Sequence, residues 1–186
     1  LHLLVREKKE GLGRAYISGF EWALKNGYEY IFEMDADFSH NPEDLARLYN
    51  ACAFEGADVA IGSRYVTGVN VVNWPMGRVL LSYFASYYVR FVTGMKIKDT
   101  TAGFICYKRK VLDTIPFEKI KFKGYAFQIE MKFTAWCYDF NLVEVPIIFT
   151  DRSKGESKMS KGIIKEAVWG VIEMKFSSWF RNYERN

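Results

Sequence analysis

Two carboxylates lie one residue apart in the stretch MDADFSH, residues 34–40, directly after the apolar run YEYIF. The run predicts a buried strand, and side-chain alternation places Asp35 and Asp37 on the same side of an extended chain. Two like charges this close repel each other unless a cation lies between them. The pair therefore suits a hard divalent cation, Mg²⁺ or Mn²⁺, whose coordination substrate phosphates complete. The alternative is a pair of turn acids before the next helix.

Cations recur at the ends of other predicted strands. Arg64 ends the third strand in GSRY, Arg78 follows in NWPMGR, and TDRSKGESK brings Arg152, Lys154 and Lys158 after a later strand. Open parallel sheets bind ligands beyond the carboxyl ends of their strands. A phosphate-rich substrate would explain both signs of charge, with metal on one side and guanidinium groups on the other. The alternative for each arginine alone is a solvated surface charge.

The first half of the chain alternates between strand and helix patterns. LHLLV, YEYIFEM and ADVAIGSR predict strands, and EGLGRAYISGFEWALKNG carries apolar residues at helical spacing. HNPEDLARLYNACAFEG predicts a second helix with Asn41 as its N-cap and Pro42 in its first turn. Strands that alternate with helices predict an α/β fold of right-handed βαβ units on a mostly parallel sheet.

The second half contains an unusual helix, RVLLSYFASYYVRFVTG. Its polar residues Arg78, Ser82, Ser86 and Arg90 form one narrow stripe, and the rest of its surface is apolar, the reverse of an ordinary surface helix. A strand (TTAGFICYK), a helix (AFQIEMKFTAWCY), a strand (LVEVPIIF), a basic loop and a final helix follow.

Composition bounds the function. The 186 residues are 49% hydrophobic and 26% charged, which predicts one globular domain. A net charge of +4 is too small to indicate nucleic acid as a partner. The 3 cysteines form no C-x-x-C pair, which predicts a reducing compartment. No run approaches the roughly 18 apolar residues of a membrane span.

Six motifs occur in a fixed order: GLGRAY, DADFSH, GSRY, NWP with a following Arg, DTTAGF and RSKGESKMS. Each is weak alone. Together, from about Leu3 to Phe176, they resemble the dolichol-phosphate (polyprenol-phosphate) mannose synthases, a branch of the family 2 glycosyltransferases with the A-type glycosyltransferase fold.

The resemblance implies transfer of mannose from GDP-mannose to a polyprenyl (dolichyl-type) phosphate, with inversion and with Mg²⁺ or Mn²⁺ as cofactor. It also implies a peripheral protein on the cytoplasmic face of a membrane. Two alternatives stay open: a related transferase that uses UDP-glucose or another sugar nucleotide, and a non-catalytic remnant that binds a lipid phosphate or a partner.

The same resemblance implies roles for individual residues. Asp35 and Asp37 would flank the metal and the donor diphosphate, with Ala36 contributing its backbone. Arg64 and Arg78 would hold the phosphate of the acceptor or product. Asp37 and Arg64 are the residues expected to be catalytic.

A basic loop, residues 150–162, would close over the diphosphate, with Arg152, Ser157 and Lys158 as binding residues. We expect it to act as a lid. The family often has Gln where this chain has Ser39, and because Ser39 is shorter we do not count it as a metal ligand.

Residues 1–186 are expected to form a single glycosyltransferase domain, with a helix over 76–94 and a last helix over 163–181. The resemblance places helix 76–94 at a membrane surface, and burial against the sheet or a neighbouring subunit is the alternative. A membrane-anchoring partner or a homo-oligomer would complete the assembly. Relatives begin with P-x-Y-N-E and D-D-G-S motifs that grip the nucleoside. These motifs are absent, so we expect a C-terminal portion that is inactive alone.

Overall fold

The computed structural model describes residues 2–8, 10–122, 124, 126–151 and 161–184, without side chains for 161–166. Its strands are β1 (Tyr30–Glu33), β2 (Val59–Ser63), β3 (Val71–Val72), β4 (Ile105–Lys108), β5 (Leu142–Pro146) and β6 (Phe149–Thr150). Its helices are α1 (Leu12–Lys25), α2 (Asp44–Ala53), α3 (Met76–Thr93), α4 (Arg109–Thr114), α5 (Ala126–Cys137) and α6 (Lys161–Ser178). A 3-10 turn covers Phe117–Lys119.

The main sheet has the strand order β1-β4-β2-β5, and β3 pairs with β6 in a second, two-stranded parallel sheet. Strand β2 runs parallel to β5, whereas β4 runs antiparallel to both of its neighbours, β1 and β2. Strands β1, β2 and β5 therefore point the same way, as predicted, but β4 enters between two of them from the opposite direction. Hydrophobic alternation identifies a strand without revealing its direction, so the sequence did not indicate this insertion.

The expected first strand, LHLLV, is wrong within the described residues. Residues 2–6 form no strand, and the side chains of Leu3 and Val5 are 85% and 83% exposed. A strand needs both a hydrogen-bonded neighbour and a face to bury, and no described strand pairs with this segment.

The predicted N-cap of α2 is also wrong. The helix begins at Asp44 with Glu43 before it and no side-chain cap. The Asn41 side-chain oxygen instead accepts the Glu43 amide at 3.1 Å, in the turn that precedes the helix. Asn41 therefore stabilises a turn, which is the competing use of this residue type.

Helices cover both faces of the main sheet and bury its apolar side chains. On one face α1 and α5 pack through residues such as Phe20 and Phe127 against Tyr107 of β4. On the other face Leu48 of α2 packs against Phe104. Gly13 of α1 allows close contact with α5, because a Cβ atom there would lie 2.7 Å from the Phe127 ring.

Helix α3 packs against α6 and turns its predicted polar stripe inward, with Ser86 fully buried. Val89 of α3 is buried, but many apolar residues of the helix face outward. The large exposed ones are Met76, Leu80, Leu81, Tyr83, Phe84, Tyr87 and Phe91. Helix α6 and the turn after it add Val168, Trp169, Phe176, Trp179 and Phe180 to the exposed apolar side chains. The described residues include no helix that combines the length and apolarity needed to cross a membrane.

Candidate active site

The two acids lie in the segment after β1 and have different partners. The Asp35 Oδ1 atom accepts a hydrogen bond from the Tyr16 hydroxyl at 3.2 Å. The Asp37 Oδ1 atom accepts bonds from the Ser39 amide at 3.1 Å and the Ser39 hydroxyl at 2.5 Å. Phe38 has a φ of 63°, and this left-handed turn lets Ser39 fold back on Asp37. Helix α1 thus holds the first acid, whereas the second is held within its own turn.

Arg64 directly follows β2 and is buried in an ion pair. Its Nε and Nη2 atoms donate to the two Asp99 oxygens at 2.7 and 2.6 Å, and Nη2 also donates to the Thr101 hydroxyl at 2.9 Å. Burial disfavours both charges, yet their mutual attraction prevails, raising the pKa of Arg64 and lowering the pKa of Asp99. Because this pair uses Nε and Nη2, the Nη1 side of the guanidinium is the side that can face a ligand.

Arg78 lies in the first turn of α3 and is held in a different way. Its Nη1 atom donates to Asp151 Oδ1 at 2.8 Å, and its guanidinium carbon lies 4.1 Å from the centre of the Trp74 ring. The Trp74 ring packs edge-on against Phe149 of β6 at 5.3 Å. A partly exposed guanidinium is therefore fixed by one stacking contact and one acid.

Beneath the acids lies a layer of buried charge. Glu33 ends β1 and accepts a long hydrogen bond, 3.4 Å, from the Tyr107 hydroxyl. Lys132 of α5 donates to the Ala102 carbonyl at 2.6 Å. Burial raises the pKa of Glu33 to about 8 and lowers the pKa of Lys132 to about 8, although each charge partly supports the other. Strongly perturbed pKa values occur often, though not exclusively, among groups at functional sites.

The two acids and the two arginines line one cavity of about 430 Å³, a volume suited to a small-molecule ligand. Its charged and polar lining comes from Asp35, Asp37, His40, Arg64, Arg78, Ser82, Thr101, Gln128 and Asp151. One side of its apolar lining comes from α3 and α6, through Leu81, Phe84, Ala85, Tyr88, Val89, Ala167, Val168 and Val171. The rest comes from other elements, through residues such as Leu12, Ile129, Ile147 and Phe149. The cavity therefore offers acids, guanidinium groups and hydrocarbon surface to the same ligand.

The acids fit a hard divalent cation. Both are at least partly accessible and line the cavity, and their oxygen donors suit Mg²⁺ or Mn²⁺. No cluster of three or more His, Cys, Asp or Glu side chains with metal-binding geometry occurs in the described part of the chain. A cation at Asp35 and Asp37 would therefore complete its coordination with water or substrate oxygens, as Mg²⁺ commonly does.

The predicted site residues that the structure describes come together. Asp35, Asp37, Arg64 and Arg78 all line the cavity, and Ala36 is exposed between the acids. Arg152, Ser157 and Lys158 lie outside the described residues, so the roles predicted for the basic loop stay predictions.

Sequence reasoning assigned no role to several residues of this site. Tyr16, His40, Trp74 and Asp99 lie inside the motifs GLGRAY, DADFSH, NWP and DTTAGF. Their membership of an ordered set of motifs was the available signal. Gln128 lines the cavity without belonging to any of these motifs.

Comparison with known proteins shows what the chain is similar to. The profile described as "Glycosyl transferase family 2" matches residues 1–116. Polyprenol monophosphomannose synthase of Mycolicibacterium smegmatis is 50% identical over 173 residues, which cover 93% of this chain and 65% of that protein. Undecaprenyl-phosphate mannosyltransferase of Micrococcus luteus is 47% identical over 176 residues, which cover 92% of this chain and 72% of that protein. The chain thus spans about two thirds of the length of the first of these relatives.

Solved structures show the same fold. Glucosyl-3-phosphoglycerate synthase from Mycobacterium tuberculosis, in complex with Mn²⁺, uridine diphosphate and glucosyl-3-phosphoglycerate, aligns with a TM-score of 0.62 at 14% identity. The alignment covers 94% of this chain and 56% of that chain. This likeness confirms the expected A-type glycosyltransferase fold.

Proposed function

Because the chain belongs to glycosyl transferase family 2, we propose that its protein transfers mannose from GDP-mannose to a polyprenyl phosphate. The observation that carries the proposal is the cavity in which acids, arginines and an apolar wall meet. A polyprenyl phosphate has an anionic head and a hydrocarbon tail, and the cavity has lining for both. The names of the two mannosyl-transferring relatives support the sugar and the acceptor class.

In the proposed reaction an oxygen of the lipid phosphate attacks the anomeric carbon of the sugar, and the nucleoside diphosphate leaves from the opposite face. A phosphate monoester is largely ionised at neutral pH, so the protein has to align the acceptor rather than deprotonate it. Arg64 and Arg78 hold and orient the acceptor phosphate, and Asp35 and Asp37 hold Mg²⁺ or Mn²⁺. The cation, when bound, stabilises the charge of the leaving diphosphate.

We also propose that the exposed apolar side of α3 and α6 rests on the cytoplasmic face of a membrane. The exposed aromatic residues of both helices support this, and so does the inward orientation of the polar stripe of α3. An amphipathic surface of this kind binds at the boundary between head groups and acyl chains. The acceptor lipid could then enter the cavity from the bilayer along the apolar lining.

The test is an assay of the full-length protein with a polyprenyl phosphate and separately labelled GDP-mannose and UDP-glucose. We expect lipid-linked mannose from GDP-mannose, dependence on added Mg²⁺ or Mn²⁺, and loss of product with EDTA. Glucose transfer from UDP-glucose in place of mannose transfer would assign the protein to the alternative donor class. Absence of transfer from both donors, with folded protein, would reject the proposed activity.

A further inference from the structure

His40 is a buried side chain close to the two acids of the cavity. The residue is only 5% exposed, and both ring nitrogens are buried without a hydrogen bond among the described residues. A buried polar group that lacks a partner lowers the stability of the fold. Such a group in a native structure requires an explanation, such as a role in the site or an ordered water or ion that binds it.

The surroundings of His40 leave its ring little freedom. Its ring centre lies 4.9 Å from that of Phe104 and 5.1 Å from that of Phe149. The backbone next to it is anchored to β6, because the Thr150 amide donates to the Ser39 carbonyl at 3.1 Å. The imidazole is therefore fixed relative to the sheet.

The nearest acid to this ring is Asp35. The His40 Nε2 atom lies 3.9 Å from Asp35 Oδ2, about 1 Å beyond hydrogen-bond distance. The Asp35 side chain is 44% exposed and therefore has more room to move than the imidazole. Its other oxygen already accepts the Tyr16 hydroxyl. A small rotation of the carboxylate would place Asp35 between two donors.

We infer that His40 is a positioning residue that donates its Nε2 proton to Asp35 Oδ2 when Asp35 turns to bind a divalent cation. Tyr16 and His40 would then each donate a hydrogen bond to one oxygen of the carboxylate, and the two bonds would fix its orientation toward the cation. Hydrogen bonds from the protein to metal-binding carboxylates act in this way, and their loss typically weakens metal binding about 10–100-fold. The inference rests on the metal dependence in the proposed function.

Three variants of the full-length protein test the inference, with Mn²⁺ as the probe in the presence of GDP. His40→Leu removes the donor, whereas His40→Gln keeps an N–H at nearly the position of Nε2. His2→Leu is the matched control, because His2 is exposed and packs on Trp22 at 4.9 Å. The measured quantity is the Mn²⁺ dissociation constant, from the electron paramagnetic resonance signal of free Mn²⁺.

We expect His40→Leu to bind Mn²⁺ at least about 10-fold more weakly than the wild type. His40→Gln should stay within about threefold, since it restores the donor, and His2→Leu should be unchanged. In an Asp35→Asn background, His40→Leu should have little further effect, because the group that it positions is already altered. If His40→Leu does not fold, His40→Asn replaces it, since the shorter amide is polar but does not reach Oδ2.

Equal Mn²⁺ affinity in all variants would overturn the positioning role and leave the proposed function intact. Equal weakening in His40→Gln and His40→Leu would also overturn it, because packing alone would then explain the effect. Failure of the wild type itself to bind Mn²⁺ with GDP would reject the metal site and this inference together.

Discussion

At the scale of single residues, the two arginines of the cavity differ more than their sequence context indicates. Arg64 is buried and bonded through two nitrogens to Asp99, whereas Arg78 is partly exposed, stacked on Trp74 and bonded to Asp151 through one nitrogen. Loss of Arg64 would leave a buried carboxylate without its partner. Arg78 does not neutralise a fully buried carboxylate, so the effect of its substitution on kinetics reports more directly on ligand binding.

Asp37→Asn should lower the kcat of the full-length protein by at least about 100-fold, because the amide does not hold a divalent cation as a carboxylate does. The melting temperature should change little, since Asn can still accept the two bonds from Ser39. Asp113→Asn is the control, an acid on α4 that pairs with Arg109 at 3.1 Å. Retention of most activity by Asp37→Asn would contradict the metal assignment.

Arg78→Lys should slow the acceptor-dependent reaction by an amount equivalent to roughly 1.5–3 kcal/mol of activation free energy. The reason is that an ammonium group does not replace a charge-assisted, fork-shaped donor. Donor binding should be unaffected. Arg64→Lys should show the same kinetic loss together with a lower free energy of unfolding, by about 1–3 kcal/mol, because the two-point bond to Asp99 is lost. Kinetics at varied polyprenyl phosphate and urea denaturation measure the two effects.

The control for both arginines is Arg47→Lys, a half-exposed residue in an i,i+3 pair with Asp44. It should change neither the activation free energy of the acceptor-dependent reaction nor the free energy of unfolding by more than about 0.5 kcal/mol. Unchanged acceptor dependence in Arg78→Lys would count against a phosphate contact there.

Much of the charged lining of the cavity could be predicted from sequence, because three of its residues follow strands that hydrophobic periodicity identifies. Asp35 and Asp37 follow β1 and Arg64 follows β2. Their partners could not be predicted in the same way. Asp99 lies 35 residues from Arg64, and no local pattern states which acid a buried arginine will meet. The packing that gives the His40 ring no hydrogen-bond partner among the described residues is likewise a product of tertiary structure.

At the scale of elements, helices were easier to predict than strands. The helical patterns foresaw α1, α3 and α5 to within a few residues because each has a continuous run of good spacing. The pattern LHLLV failed and the direction of β4 was missed, because strand formation depends on neighbours that are distant in sequence. The exposed apolar side of α3 was foreseen as a broad apolar face, and the structure adds α6 to that surface.

Two glycines of α1 provide a matched test of its packing. Gly13→Ala should lower the free energy of unfolding by about 1–3 kcal/mol, because the new methyl group would lie 2.7 Å from the Phe127 ring and 2.9 Å from the Phe122 carbonyl oxygen. Gly19→Ala should raise it by about 0.5–1 kcal/mol, since nothing lies within 4 Å and alanine favours the helix. Urea denaturation of both variants gives the comparison, and equal effects would contradict the close contact between α1 and α5.

The apolar surface of α3 and α6 can be tested with vesicles. Phe84→Ser combined with Phe91→Ser should reduce binding to phosphatidylserine-containing vesicles by about 10-fold or more. Each phenyl group that inserts into the vesicle membrane should contribute roughly 1.5–3 kcal/mol to the free energy of binding. The control is Phe54→Ser, since Phe54 after α2 is 76% exposed and Phe91 is 81% exposed. Cosedimentation measures binding. If Phe54→Ser loses as much vesicle binding as the double variant, or if the double variant loses none, the proposed membrane contact of α3 and α6 is rejected.

At the scale of the whole molecule, the site rests on a core that is not purely apolar. Glu33 and Lys132 are both fully buried in the layer between the sheet and α5. Buried charges of this kind contribute little net stability compared with apolar residues of similar volume. They make the stability of the whole fold depend on pH.

Lys132 gives this dependence a predictable sign. Its pKa is about 8 in the folded protein because of burial, against an ordinary value of 10.5. Between these values the unfolded chain binds the proton and the folded protein does not, so stability rises with pH. Between pH 8 and 10 the free energy of unfolding of the wild type, relative to that of Lys132→Met, should rise by up to about 1.4 kcal/mol per pH unit.

Urea denaturation across this range measures the effect. Lys119→Met is the control, because Lys119 is exposed and should give the same pH profile as the wild type. Parallel profiles for the wild type and Lys132→Met would contradict the lowered pKa.

The insertion of β4 between β1 and β2 has a consequence for how the protein is made. Contacts that hold the fold together span long stretches of chain: the Ser63–Glu144 hydrogen bond joins residues 81 apart, and the Arg78–Asp151 bond joins residues 73 apart. Such topologies fold slowly, because long loops must close before their contacts contribute. On the ribosome β1 emerges well before its neighbour β4, and unpaired strands in this interval are prone to aggregate. Slower synthesis at low temperature, or added chaperones, should therefore raise the yield of soluble protein.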